Sequence, residues 1–282
     1  MITGASSGIG RATALQLAER GARLILASRS RAALEQVAAQ CRELGATVHV
    51  VPTDVLDAAA VDALVGTALT EHGRLDACVH CAAVVAYGRF EDVPTEIFDR
   101  VIATDVLGTA NVARAALAVM RSRRTGTLVL MGSVLGKIST PYMSSYVASK
   151  AAIESLARVL TIEQRDLPDV NVCVVSPGSV RTPVFRQAAN YAGRYGRPPP
   201  PIVSPEHVAA KIVKLLDKPR PRTNVGPANR LMVFGATVTP RLFDAIVGPM
   251  MRVLGLSRTP VAPHAGNVLS PTPEGEAVHE QT

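Results

Sequence analysis

Several short segments of this chain are apolar almost from end to end, and a stretch with helical spacing separates each from the next. They read RLILA at 23–27, ATVHVVP at 46–52, GTLVLMGS at 126–133 and VNVCVVS at 170–176, with a further apolar strand at 75–81. A strand with one wet face alternates polar and apolar residues; a strand covered on both faces does not. Helices are predicted over 8–20, 31–44, 57–72, 94–103, 106–122 and 144–166, with Gly45 and Gly73 as stop signals. Buried strands alternating with helices specify one architecture, an α/β doubly wound parallel sheet of the Rossmann type.

The chain of 282 residues is 48% hydrophobic and 19% charged, enough to build one large core over 1–256. A helix is predicted from Ser204-Pro205 to about Asp217, and another helical pattern over 228–256. From Ser257 onward Pro, Ser, Gly and Glu dominate, so 257–282 is expected to be a flexible tail. No secretory signal and no unbroken apolar run of spanning length is read, which points to a cytoplasmic protein. The net charge of +7 is concentrated between Arg181 and Arg258, where 13 Lys/Arg face three acids. That excess suits an anionic partner, but no aromatic-interleaved basic motif argues for nucleic acid. Cys78-Val-His-Cys81 has the form of half a zinc site; with no second ligand pair, no metal is expected.

The first chemical motif is Thr3-Gly4-Ala5-Ser6-Ser7-Gly8-Ile9-Gly10, opening directly into helix 8–20. Glycines there let backbone approach a pyrophosphate, and the helix N-terminus supplies free N–H groups and partial positive charge. The second strand ends at Ser28-Arg29, where a carboxylate would grip a ribose 2′-hydroxyl. An arginine favours a 2′-phosphate instead, so NADP(H) is preferred over NAD(H). Asp54, after the third strand, is placed to accept from an adenine amino group, with Val55 and Ala82 beside it in the cofactor wall.

Tyr146-Val-Ala-Ser-Lys150 puts a phenol and an ammonium four residues apart on one helix face, and Ser133 ends a strand predicted alongside. A free phenol, with pKa near 10, is a weak acid–base catalyst at neutral pH. A neighbouring Lys⁺ and an oxidised nicotinamide together are expected to pull it toward working pH. Ser133 would hold a substrate oxygen while Tyr146 moves its proton.

With TGxxxGxG at the front and serine, tyrosine and lysine at this spacing, residues 1–255 resemble the short-chain dehydrogenase/reductase family. The resemblance implies a seven-stranded Rossmann fold and the catalytic set Ser133, Tyr146 and Lys150. It also implies cofactor contacts from Pro177 and Gly178 through Val180 to Thr182, a substrate lid over 182–203, and a dimer or tetramer. Val184, Phe185, Tyr191 and Tyr195 of the lid suit either an apolar pocket wall or core packing. Three departures follow. The first strand is expected to be truncated, with its missing part upstream of Met1. The family's NNAG segment reads His80-Cys81-Ala82-Ala83, and its catalytic asparagine is Asp105. That asparagine's main-chain carbonyl is thought to hold a water in a proton relay to the lysine, a role Asp105 can offer with an added charge.

The reading that follows is an NADP(H)-dependent oxidoreductase interconverting a carbonyl and a secondary alcohol on a hydrophobic small molecule. The alternative from another class is a cofactor-binding scaffold or sensor with little catalysis, motivated by His80, Cys81 and Asp105. Residues 231–256, apolar with Arg241, Asp244 and Arg252 spaced through them, suit a subunit interface or peripheral contact with an anionic membrane.

Overall fold

A computed structural model describes residues 1–272 and 275–279. The apolar runs become the strands of one parallel seven-stranded sheet: β1 (Ile2–Thr3), β2 (Arg23–Ser28), β3 (Thr47–Pro52), β4 (Ala77–His80), β5 (Gly126–Met131), β6 (Val170–Pro177) and β7 (Arg222–Val225). Their order is β7-β6-β5-β4-β1-β2-β3. All of β5 and most of β2, β4 and β6 are buried, as strands covered on both faces must be. On one face Leu128 and Val172 of the sheet share a core with Leu64 of Ala58–His72, Val112 of Gly108–Arg123 and Ile153 of Ser144–Glu163. On the other Leu26 and Val129 share a core with Ala14 of Gly8–Ala18, Leu34 of Arg31–Glu43 and Ile212 of Pro205–Asp217.

The helix ends follow from local chemistry. Ser30 accepts from Ala33 N–H, Asp57 from Ala60 N–H and Ser204 from His207 N–H, each satisfying a backbone donor the helix leaves unpaired. Gly73 closes Ala58–His72 with φ 69°, a conformation glycine adopts without steric cost.

Two expectations are corrected. The helices predicted at 94–103 and 106–122 form one continuous run, Thr95–Ile102 and Gly108–Arg123 joined by a π-turn at Ala103–Leu107. Its length and composition would allow it to cross a membrane, yet it is half buried in the domain and packs on Ser144–Glu163 as a core helix. Of the expected tail 257–282, the stretch 257–268 is also not free, while 273–274 and 280–282 lie outside the described residues. Leu256–Pro260 pairs antiparallel with Arg194–Gly196, Asn190 bridges His264, and Val268 is fully buried among Val84, Ala86, Ile97 and Val101. Composition signalled disorder because single apolar residues in a polar stretch are too few to show periodicity.

The first strand is two residues long and is paired on both sides. Ile2 and Thr3 lie opposite Leu26 and Ala27 on β2 and opposite Val79 and His80 on β4. Strand order reverses between β1 and β4, so their carboxyl ends open a crevice, the place where sheets of this kind bind ligands.

Candidate active site

The floor of the crevice is the turn after β1. Gly4 has φ 65°, and a side chain there would lie 2.6 Å from Ala82 N. At Gly10 it would lie 2.1 Å from the Gly4 carbonyl oxygen, and at Gly8 (φ 52°) it would press on the Thr182 methyl at 3.2 Å. At Gly4 and Gly10 there is therefore room only for glycine, and at Gly8 the positive φ favours it. The turn presents Ser6, Ser7, Gly8 and Ile9 to a cavity of about 330 Å³ at the start of Gly8–Ala18. A cradle of bare backbone at a helix N-terminus fits a diphosphate.

Every cofactor residue read from the sequence lines this one cavity: Gly4 to Gly10 apart from Ala5, then Ser28, Arg29, Asp54, Val55, Ala82, Pro177, Gly178, Val180 and Thr182. Arg29, at the end of β2, is half-buried and donates to the Asn267 and Val268 carbonyls at 2.5 and 3.2 Å. Asp54 is more committed than expected. One oxygen accepts from Arg100 Nη2 at 2.6 Å and the other from Leu56 N–H at 3.0 Å. Arg100 was not singled out from sequence, because no local pattern ties a residue on Thr95–Ile102 to the end of β3.

Ser133, Tyr146 and Lys150 converge on the same cavity. Ser133 sits just past β5, its hydroxyl accepting from Leu135 N–H at 3.1 Å and hydrogen-bonded to the Tyr146 phenol. Lys150, one turn on from Tyr146, is buried and donates to the Met131 carbonyl at 3.0 Å, its Nζ 5.3 Å from the centre of the Tyr146 ring. Of the two influences expected to depress the phenol, the one this chain itself supplies is outweighed: burial holds the Tyr146 pKa above its ordinary value, while Lys150 and the Ser133 hydrogen bond pull it back only partly. Asp105 adds to the rise.

Asp105 is the one residue of the proposed set that does not line the cavity. It is fully buried in the π-turn, one carboxylate oxygen accepting from Val84 N–H at 2.9 Å. Its main-chain carbonyl, expected to hold a water, accepts from the Thr109 hydroxyl at 2.5 Å. Burial pushes its carboxyl up to about 6, against the pull of Lys150 and the Val84 N–H. Asp105 therefore acts on Tyr146 through its field rather than by contact.

His80 explains the altered NNAG segment. Its Nδ1 lies 2.7 Å from Thr3 Oγ1 and its Nε2 2.9 Å from Thr109 Oγ1. Thr109 gives its only proton to Asp105, so Nε2 must donate to Thr109 and Nδ1 must accept from Thr3. The relay runs one way and ties the end of β1 to β4 and to the π-turn. Burial, with Lys150 adding, pushes the imidazole down to about 3, so it is neutral and both nitrogens are committed. A metal would find no lone pair on this ring. Burial raises the neighbouring thiols of Cys78 and Cys81 to about 12.

A family model described as short chain dehydrogenase matches residues 1–191. This chain belongs to the short-chain dehydrogenase family. It is 32% identical over 263 residues to dehydrogenase/reductase SDR family member 7B of Bos taurus, covering 89% of this chain and 81% of that one. It is 30% identical over 254 residues to the uncharacterized oxidoreductase YxnA of Bacillus subtilis, covering 89% and 71%. Among solved structures, a short-chain dehydrogenase from Streptomyces avermitilis superposes with TM-score 0.74 at 29% identity, covering 86% and 92%. An alcohol dehydrogenase from Thermococcus sibiricus, solved with 5-hydroxy-NADP, gives 0.68 at 30%, covering 79% and 93%.

In this short-chain dehydrogenase the lid residues divide. Val184 and Phe185 face the cavity, while Tyr191 joins the cluster around Val84 and Val268, and Tyr195 packs on Arg186 and His264. The rest of the apolar wall comes from Val85, Met143, Phe243, Val247, Met250 and Met251. Asn229, missed from sequence, is fully buried and donates to the Ser176 and Val225 carbonyls. A Cβ at Gly178 would lie 2.5 Å from its Oδ1, so this glycine is needed for close approach. Lys137 is a second omission, reaching Ser176 at 3.3 Å, Asn224 at 2.8 Å and the buried Glu154 at 3.6 Å. Both tie β6 to elements distant in sequence, and neither leaves a local signal.

Proposed function

We propose that this chain is an NADP(H)-dependent oxidoreductase that interconverts a carbonyl and a secondary alcohol on a hydrophobic small molecule. The observation that carries the reading is the convergence of Ser133, Tyr146 and Lys150 at one end of a crevice whose other end is the backbone cradle and Arg29. A bound nicotinamide supplies or accepts the hydride. Ser133 holds the substrate oxygen, and Tyr146 gives it a proton in reduction or takes one in oxidation. Lys150 favours the phenolate while its bond to Met131 fixes the ammonium in place. Because the phenol is held high, reduction, which needs the protonated form, proceeds at neutral pH, and oxidation gains as pH rises. Arg29, with Ser28, takes the 2′-phosphate; the planar guanidinium keeps donors beyond those given to Asn267 and Val268.

The test is a panel of carbonyls and alcohols followed by NADPH absorbance, with Tyr146→Phe beside the parent. Loss of general acid–base catalysis is expected to lower kcat by roughly 10²- to 10⁴-fold while NADPH affinity stays within a few fold. Turnover retained in that variant removes Tyr146 from its role. Binding of NADPH by the parent without turnover of any pair would favour the scaffold reading.

The outer face of Asn229–Val238 and Pro240–Met250 belongs to the same proposal. Leu231, Phe234, Val238, Leu242 and Ile246 are each more than half exposed, with Val253 just beyond. The same stretch of sequence carries Arg230, Arg241, Arg252 and Arg258 against one acid, Asp244. An isologous contact between two copies would bring these arginines together. An anionic lipid surface attracts each of them by about 1 kcal/mol and receives the apolar row. We assign this face to peripheral membrane contact of a cytoplasmic enzyme. The inward side chains of the same helices, Met232, Phe243, Val247 and Met250, line the cavity, so an apolar substrate has a short path from lipid to site.

A further inference from the structure

Behind Ser133 lies a buried carboxylate that the chemistry above does not use. Tyr146, Lys150 and Glu154 are spaced by four residues and so share one face of Ser144–Glu163. Tyr146 and Lys150 reach the cavity, whereas Glu154 is buried a turn beyond its lining. Ser176 donates its hydroxyl proton to Glu154 Oε1. With that proton committed, Ser176 Oγ accepts from Lys137 Nζ, 3.3 Å away. Lys137 gives a second N–H to Asn224 Oδ1 at 2.8 Å, and its ammonium lies 3.6 Å from the same Glu154 oxygen. One carboxylate oxygen thus gathers the helix of Tyr146, the loop after β5, the end of β6 and, through Lys137, β7. We propose that Glu154 is a positioning residue for the reaction, holding the Ser133 loop in register with Tyr146 and Lys150. The proposal rests on the oxidoreductase reading above.

The loop takes its place from what it leans on. Ser133 is followed by a single 3₁₀ turn, Val134–Gly136, closed by Gly136 N–H to the Ser133 carbonyl at 3.0 Å and Lys137 N–H to the Val134 carbonyl at 2.9 Å. One such turn has poor hydrogen-bond geometry and does not fix its own orientation. Glycines flank it where it meets the helix. A Cβ at Gly132 would lie 2.7 Å from Glu154 Oε1, and a Cβ at Gly136 would lie 2.9 Å from Glu154 Cγ and 2.6 Å from the Lys150 carbonyl oxygen. Backbone on both sides of Ser133 therefore rests directly on Glu154, and Lys137 ties the far end of the loop to the same carboxylate.

An apolar side chain at 154 would fill the space without the cost of burying a charge. It would give no direction to Ser176 or Lys137, because apolar contact is non-directional. The carboxylate supplies that direction, and Ser176 is fixed at its other end as well, its carbonyl accepting from Asn229 Nδ2 at 3.2 Å.

The experiment compares Glu154→Ala and Glu154→Gln with the parent, each also in a Ser133→Ala background. A reacting group displaced by about 1 Å loses on the order of 10²-fold in rate, so Glu154→Ala should lower kcat about 10- to 100-fold with NADPH affinity within a few fold. Glu154→Gln keeps an oxygen for Ser176 and should stay within about threefold of the parent. If Glu154 acts through Ser133, then in the Ser133→Ala background Glu154→Ala should cost less than about twofold more, since residues that act as a unit are not additive. Losses that multiply in the double variant, or parental kcat in Glu154→Ala, overturn the proposal. If Glu154→Ala fails to fold, Lys137→Met removes the partly exposed arm of the cluster and takes its place, with an expected loss of about three- to tenfold that again disappears beside Ser133→Ala. Amide hydrogen exchange of residues 132–138 reads the loop without turnover. It should quicken in Glu154→Ala or Lys137→Met and stay near parental in Glu154→Gln, and unchanged exchange in the first two overturns the proposal. A parent that turns over no carbonyl or alcohol strikes the oxidoreductase reading instead, and the exchange result then decides whether Glu154 holds the loop.

Discussion

The two walls of the crevice are built on different principles. The wall formed by residues 1–180 sets its polar groups at strand ends and locks them from behind. Thr3, His80, Thr109 and Asp105 form a directed buried relay, Lys150 is tied to Met131, and Ser176 donates to Glu154. The wall formed by residues 184–268 is made of short pieces, among them the two-residue strands Ala189–Asn190 and Ile202–Val203, and of methionine, valine and phenylalanine side chains. Flexible Met side chains adapt to a range of shapes. On the function proposed above, the contrast separates labour: the first wall would fix reacting groups and cofactor, and the second would set which substrate enters.

If the first wall alone reads the cofactor, one substitution in it should change cofactor choice and leave substrate choice unmoved. Arg29→Asp replaces a phosphate-pairing cation by a carboxylate suited to a ribose hydroxyl. A charge-assisted hydrogen bond is worth about 1.5–3 kcal/mol, so the ratio of kcat/KM for NADPH over NADH should fall roughly 10- to 100-fold. The ranking of substrates should hold. An unchanged cofactor ratio would remove Arg29 as the selector, and a reordered substrate ranking would dissolve the distinction between the walls.

A smaller effect probes the relay behind that wall. Asp105→Asn keeps the acceptor for Val84 N–H and removes a titrating group. The Asp105 carboxyl titrates near 6 in the fold and lower in the unfolded chain, so the folded state binds the proton more tightly. Its ionisation thus costs stability as pH rises from about 4 through 6, and the full penalty stands above that window. Asp105→Asn should melt a few degrees higher at pH 7.5 and show no gain at pH 4. Asp105 also raises the Tyr146 phenol, so the pH profile of alcohol oxidation should move to lower pH in the variant. A stability gain equal at both pH values would show that ionisation of Asp105 is not the cause.

How much of each wall was legible in the sequence follows the same division. The sheet was readable because buried parallel strands have no polar face, and RLILA or TLVLM leaves little alternative. Glycine spacing and the serine–tyrosine–lysine set named the first wall, since backbone approach and one-face helix geometry are local requirements. His80 was visible only as a departure; its task depends on Thr3 and Thr109, 77 and 29 residues away. The pull of Lys150 on the phenol is visible four residues on from Tyr146, whereas the burial that opposes it belongs to the assembled fold. Residues 257–272 were misread because their order comes from partners at 187–196 and from Arg29, not from any period of their own.

The smallest effect concerns the outside of the second wall, where lipid and a second copy of the chain compete as covers. Six large apolar side chains lie exposed from Leu231 to Val253, a patch that monomeric proteins seldom leave uncovered. The proposed lipid cover rests on the arginines of the same stretch, because attraction to an anionic surface adds over several charges while like charges on two copies repel. Vesicles of phosphatidylserine and phosphatidylcholine should sediment the protein, and vesicles of phosphatidylcholine alone should do so several-fold less. Raising salt shortens the screening length from about 10 Å at 0.1 M to about 3 Å at 1 M, so the difference should vanish. The double substitution Phe234→Ser with Leu242→Ser removes exposed side chains that contribute little to the core, so it should abolish sedimentation with melting temperature unchanged. If instead the parent ignores vesicles and the double variant halves the mass measured in solution, the face is a subunit contact, and the second wall opens onto a partner rather than onto a membrane.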